Sequence, residues 1–144
     1  MRCYAAATTV TTVPTALRGP QLEGASGHPF YVLEVGAFNT TTTAFKIGLS
    51  RYSASGTVGA AITEQAEDPA FTPLTVATGV NSTDATLAGG PYTFASIGAA
   101  IGAGIIWTFG SKGLQVAGTA DMGMMLYIPA GTGQHFDFYW VWEE

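Results

Sequence analysis

The sequence predicts an all-β chain: a single-domain β-sandwich, jelly-roll-like, with about eight strands. At most one short helix and a possible N-terminal strand or arm over residues 1–29 complete the expectation. Three observations carry it. Apolar residues recur mostly with a period of two, the strand period, and rarely with that of a helix. Gly, Pro, Asn and Thr clusters punctuate short runs at regular intervals, as sandwiches and barrels require. The run Phe136-Asp137-Phe138-Tyr139-Trp140-Val141-Trp142 puts Phe136, Phe138, Trp140 and Trp142 on one side of a strand. Burying each such ring stabilises by roughly 1.5–3 kcal/mol, so this strand belongs to a core. The 144 residues suit one domain over residues 1–144 with its own core.

The elements follow in order. Residues 4–13 are rich in Thr and Val and favour a strand. Pro14, Gly19, Pro20, Gly24 and Pro29 then break the chain, predicting a long loop or arm. Tyr31, Leu33, Val35 and Ala37 alternate with Val32, Glu34 and Gly36. The charge lies on the even side, so the odd side is expected to face the core. Phe45, Ile47 and Leu49 alternate with Lys46, Gly48 and Ser50. With the Thr-rich turn at residues 39–43, the two runs predict a β-hairpin. Residues 60–67 hold good helix formers closed by Asp68-Pro69. They read equally as a loop bearing Glu64, Glu67 and Asp68. Residues 74–77 and 92–94 are short strand signals. Residues 97–107 (IGAAIGAGIIW) are apolar but too short to span a bilayer, and read as a buried segment softened by glycine. Ile105, Trp107 and Phe109 share a face, and Gly110-Ser111-Lys112-Gly113 signals a tight turn. Leu114-Gln115-Val116 follows. Met122, Met124, Leu126 and Ile128 then alternate inward before a break at residues 129–133.

Charged residues make up only 10% of the chain, against about 25% in an ordinary soluble domain. A surface so poorly protected by charge is better explained by covering subunits than by Thr, Ser and Gly alone. The net charge is −5, and the five basic residues Arg2, Arg18, Lys46, Arg51 and Lys112 are scattered. That excludes nucleic acid as a direct partner, because phosphate contacts need clustered Lys and Arg. The negative sign permits docking on a basic protein surface. The first residues lack the apolar run of a secretory leader, so synthesis in a cytosol and no membrane partner are expected. Asn39-Thr40-Thr41 and Asn81-Ser82-Thr83 match the glycosylation pattern but read as Thr-rich loops.

No catalytic signature stands out. The one cysteine, Cys3, forms no intrachain disulfide and reads as a small, partly buried strand residue. Residues 98–104 (GAAIGAG) and Gly110-Ser111-Lys112-Gly113 fail the spacing of phosphate loops. His28 and His135 lack the converging ligands of a zinc site, and Glu64, Glu67 and Asp68 have no histidine beside them. Ser111, His135 and Asp137 make a triad only on paper, with no nucleophile elbow. No enzyme activity, cofactor or metal is expected. Tyr139, on the odd side of the aromatic strand, is available to line an interface or to stack on a sugar ring. Arg2, Tyr4, Arg18 and Tyr139 are the candidate protein-interface residues.

Two blocks carry a resemblance. One comprises residues 98–110 (GAAIGAGIIWTFG), Lys112-Gly113-Leu114, residues 128–133 (IPAGTG) and residues 139–144 (YWVWEE). The other is residues 33–45 (LEVGAFNTTTTAF). Together they resemble small accessory virion proteins of tailed bacteriophages. The resemblance implies a capsid decoration, or cement, protein on the virion surface, made in the host cytoplasm. It further implies a homotrimer that clasps neighbouring major capsid subunits. A tail or fibre-associated virion protein and a carbohydrate-binding sandwich are the alternatives. In the first reading the segment before Pro29 serves as an arm that adds a strand to a partner's sheet.

Overall fold

A computed structural model describes residues 2–10, 17–130 and 134–144. They form a β-sandwich with no helix. The strands are β1 (Cys3–Thr9), β2 (Gln21–Glu23), β3 (Phe30–Asn39), β4 (Phe45–Ala54), β5 (Glu64–Ala66), β6 (Val76–Thr78), β7 (Thr86–Leu87), β8 (Thr93–Ile97), β9 (Gly104–Thr108), β10 (Leu114–Val116), β11 (Gly123–Ala130) and β12 (Phe136–Glu143). Twelve strands replace the expected eight or so, because several edge positions are filled by two short pieces. One sheet runs β10-β3-β12-β1-β5, with β9 beside β10 along β3. The other runs β6-β2-β11-β4-β7, with β8 beside β7 along β4. All pairings are antiparallel.

The aromatic strand is the centre of the molecule. Phe136, Phe138, Trp140 and Trp142 are at most 2% exposed and face Val35, Ala37, Ile47, Leu49 and Leu126 in one core. Trp142 stacks on Tyr4, and Phe136 on Phe45. β3 departs from strict alternation. Glu34 pairs with Val141 but Val32 pairs with Trp142, so Leu33 is an extra residue. This bulge switches the buried set from Phe30 and Val32 to Val35, Ala37 and Asn39. The odd-side expectation therefore holds for Val35 and Ala37 and fails for Tyr31 and Leu33.

Three further expectations are corrected. β3 and β4 do not form a hairpin; they lie in opposite sheets and face each other across the core. Each has one apolar face, and alternation alone does not say whether the partner face is in the same sheet. Asn39 fixes the crossing: its side-chain amide donates to the Thr43 and Gly98 carbonyls, and its Oδ1 accepts from the Thr41 N–H and hydroxyl. Second, residues 60–67 are not helical. Ile62 N–H donates to Ala77 O, and Glu64 to Ala66 pair with β1, so tertiary pairing overrides local propensity. Third, the described part of residues 1–29 packs into the sandwich as strands and loops of its own sheets. β1 pairs with β12 over its full length and with β5 over Tyr4, Ala5 and Ala6, and β2 lies between β6 and β11. The strand expectation beyond Val10, the Pro14 break and residues 131–133 of the resemblance lie outside the described residues.

Two features escaped the alternation pattern. Each glycine inside β3, β4 and β9, and the first residue of β11, lies opposite an aromatic ring that folds over it. The pairs are Gly36 with Tyr139, Gly48 with Tyr127, Gly104 with Phe38 and Gly123 with Tyr52. A methyl group at any of the four would overlap its ring, so the glycine makes room for the aromatic. The second sheet is also covered outside. Tyr52, Ala85, Met125 and Tyr127 form a small buried cluster on its outer surface, with Leu87 packed against it. Met124, Leu126 and Ile128 point into the main core as expected, but β11 is buried on both faces along most of its length.

Candidate interaction surfaces

The four sequence-derived interface residues have separate fates. Tyr4 is 3% exposed and stacked on Trp142, so it belongs to the core and offers no surface. Arg2 is exposed, with its guanidinium 3.4 Å from the centre of the Phe71 ring. Arg18 forms an ion pair with Asp84 at 2.6 Å. Tyr139 is half-buried: its ring covers Gly36 and stacks on Phe38, and its hydroxyl donates to Glu34 Oε1 at 2.6 Å. Burial, then that hydrogen bond, push its phenol up to about 12. Tyr139 is thus tied into its own sheet and is a poor free platform for a sugar. The structure does not bring the four residues together.

The chemistry-bearing side chains are dispersed as well. His28 flanks the Phe30 end of β3, while the His135 carbonyl meets Thr40 N–H at the other end. Ten residues of strand hold them about 30 Å apart. Ser111 lies in the turn near Leu33, whereas Asp137 pairs with Phe38 and accepts from the Thr9 hydroxyl. Among the described residues no group of three His, Cys, Asp or Glu side chains is placed to hold a metal ion. Glu64 Oε1 accepts from Ala77 N–H, and Asp68 Oδ1 from Ala70 N–H, so these carboxylates shape backbone. Cys3 is half-buried, and desolvation, then the Glu143 and Glu67 carboxylates, push its thiol up, away from a nucleophile's range. Asn39 and Asn81 are 1% and 3% exposed with their amides engaged, so neither is presented for glycosylation.

What remains is surface. Residues 97–107 are not the buried segment expected from their apolarity. Residues 98–102 form an exposed loop from β8 in one sheet to β9 in the other, and Ile101 is 71% exposed. Tyr92, Phe94 and Ile106, in or beside the edge strands β8 and β9, are each about half exposed, with Phe94 on the outer face of the second sheet and Ile106 on that of the first. Lys46 lies 4.4 Å from the Phe94 ring centre and Arg51 5.6 Å from that of Tyr92. Arg51 also donates to Gln115 O in the opposite sheet, and Tyr92 meets Phe109 edge-on, so this flank is closed by side chains. The opposite flank is closed by backbone. Residues 60–62 bridge to residues 77–79, and β5 continues the chain into the first sheet. Beside β5, Cys3, Ala5, Gln65, Ala66, Glu67 and Val141 line an open hollow of about 430 Å³.

Sequence reasoning missed Phe94, Ile101 and Ile106 as surface groups. The signal available was the absence of any charged residue from Thr93 to Phe109.

These features define the class: an antiparallel β-sandwich with apolar side chains exposed in and around its edge strands β8 and β9. Comparison with protein-family models, with curated proteins and with solved structures finds no match to this chain.

Proposed function

We propose that this chain is a non-enzymatic virion structural protein, most specifically a capsid decoration protein. In this reading it self-associates into trimers and clasps neighbouring major capsid subunits on the head surface. One observation carries it. A chain with 10% charged residues still leaves Tyr92, Phe94, Ile101 and Ile106 in solvent in and around the edge strands β8 and β9. Exposed apolar groups of this kind call for a protein cover. The low charge also suits a body pressed on several sides by neighbours. Binding stabilises a shell only where the protein prefers the expanded, mature lattice.

The test is imaging of particles with and without this protein, together with light scattering of the isolated chain. Density on the capsid at local three-fold positions, lost in the deletion, and a trimer in solution are the expected results. Density on the tail or fibre transfers the protein to that part of the particle. Particles unchanged by the deletion, with no affinity of the chain for empty shells, defeat the virion reading.

A further inference from the structure

We propose that the outer face of the first sheet docks a basic, extended segment of another protein, whose arginine or lysine side chains enter two hollows along β1.

The strand register makes this face one continuous surface. Ala7, Tyr139, Gly36 and Ile106 form a row across β1, β12, β3 and β9. Gln65, Ala5, Val141, Glu34 and Thr108 form the row on one side of it. Thr9, Asp137, Phe38 and Gly104 form the row on the other. An antiparallel sheet with one face in water ordinarily presents polar groups there. Here β1 presents Cys3, Ala5 and Ala7, and its neighbours add Val141, Phe38 and Ile106. The second sheet differs, because the Tyr52, Met125 and Tyr127 cluster on its outer surface is buried by the chain itself.

Small side chains on β1 leave two hollows beside it. One, of about 430 Å³, has walls of Ala5, Ala66 and Val141 with Glu67 at its rim. Glu143 pairs with Cys3 at the same place, and both carboxylates act on the Cys3 thiol. The other, of about 320 Å³, is lined by Ala7, Thr9, Phe38, Asp137 and Tyr139. The first lies along Cys3 to Ala5 and the second along Ala7 to Thr9. Four residues of strand separate them, about 14 Å. Each joins apolar walls to a carboxylate, which suits an apolar stem with a cationic tip. The Phe38 and Tyr139 rings favour arginine in the second hollow.

Charge identifies the occupant. The six strands of this sheet contain no lysine or arginine. Glu34, Glu67, Asp137 and Glu143 have no ion-pair partner among the described residues. Arg2 is turned onto the Phe71 ring, and Lys112 lies in the turn between β9 and β10. A second copy laid face to face would set these carboxylates against their own kind. Side chains four apart in an extended segment point the same way and span the same distance of about 14 Å. No two of Arg2, Arg18, Lys46, Arg51 and Lys112 stand four apart, so this chain does not supply that segment. The occupant is therefore a strand of a different protein with basic residues at that spacing. This inference goes beyond the proposed function and does not depend on a virion location.

The probe is the end-capped peptide Arg-Thr-Val-Thr-Arg, titrated into the isotope-labelled whole chain and followed by amide NMR. Signals of Ala5, Ala7, Tyr139 and Val141 are expected to shift, and that of Met125 to stay. Ala5→Lys and Ala7→Lys should each weaken binding about fivefold, the worth of one partly screened charge contact. Salt at about 0.5 M should weaken the wild type similarly. A control peptide with adjacent arginines, Arg-Arg-Thr-Val-Thr, should bind more weakly because it reaches one hollow only. Near-ultraviolet circular dichroism of the buried tryptophans reports folding, and Glu67→Gln at the exposed rim replaces Ala5→Lys where that variant does not fold. Absent shifts, shifts confined to other surfaces, or equal binding by the variants or the control peptide overturn the docking surface. None of those results bears on self-association or on particle imaging, so the proposed function stands or falls separately.

Discussion

Gly36→Ala is expected to destabilise the sandwich through a single ring. A methyl carbon on residue 36 would lie 2.6 Å from Tyr139 Cζ and 2.8 Å from Cδ1, and nearer still to Cε1. Carbon atoms in contact settle at about 3.5–4.0 Å, so the ring must retreat by about 1 Å or more. Its hydroxyl is held 2.6 Å from Glu34, and that movement breaks the bond. A hydrogen bond to a charged group is worth about 1.5–3 kcal/mol, and partial exposure places this one near the lower bound. Strain from the extra carbon costs about 1–3 kcal/mol. The reduced freedom of the unfolded chain returns about 0.4–1 kcal/mol. The net loss is about 2 kcal/mol, a fall in melting temperature of about 4–10 °C for a chain of this size. The assay is a double-mutant cycle with Tyr139→Ala, read by urea unfolding. Without the ring, Gly36→Ala should be neutral or slightly stabilising. An equal loss in both backgrounds would refute the idea that this glycine exists to seat the tyrosine.

Other outcomes follow from the same contacts. Among the described residues Trp140 Nε1 is buried with no partner, while Trp142 Nε1 donates to Glu144 Oε1 at 3.2 Å. Trp140→Phe should therefore cost less than Trp142→Phe, by about 1 kcal/mol in denaturant titration. Asn39→Ala removes four hydrogen bonds from a buried site and should cost about 2–4 kcal/mol. Faster amide exchange at Gly102, whose N–H donates to Asn39 O, would report the loosened crossing. Burial, then the nearby Asp121, push the Glu23 carboxyl up. A folded value above the unfolded one gives stability below the unfolded value and withdraws it as pH rises through the folded one. Ionised Glu23 is thus a cost at neutral pH. Glu23→Gln should raise the melting temperature near pH 7, with the gain shrinking as the pH falls and the carboxyl protonates.

The sandwich was legible because its strongest signal is local. Four aromatics at period two leave β12 only one face to bury, and Phe45, Ile47 and Leu49 do the same for β4. Pairing was less legible. The bulge at Leu33, the crossing at Asn39 and the insertion of β1 beside β12 depend on partners far away in sequence. The glycine and aromatic pairs were hidden for the same reason: Gly36 and Tyr139 meet only once the register is set. The flank was misread because apolarity was equated with burial over residues 97–107. A run that is apolar and also rich in glycine has too little side chain per residue to hold itself inside. Tyr4, named from the sequence as a candidate interface residue, is buried instead, its ring stacked on Trp142 in the core.

The placement of β12 governs how the molecule is made. Thr9 and Asp137 touch although 128 positions separate them, and among the described residues β12 is the strand that joins β1 to β3. A nascent polypeptide that lacks it has a sheet in two halves, with Tyr4 and Val35 waiting in water. Local hairpins give no shortcut, so assembly is slow and close to all-or-none. During that interval the half-built intermediate is the species most exposed to aggregation, and holding chaperones or a low rate of synthesis would raise the yield of native product.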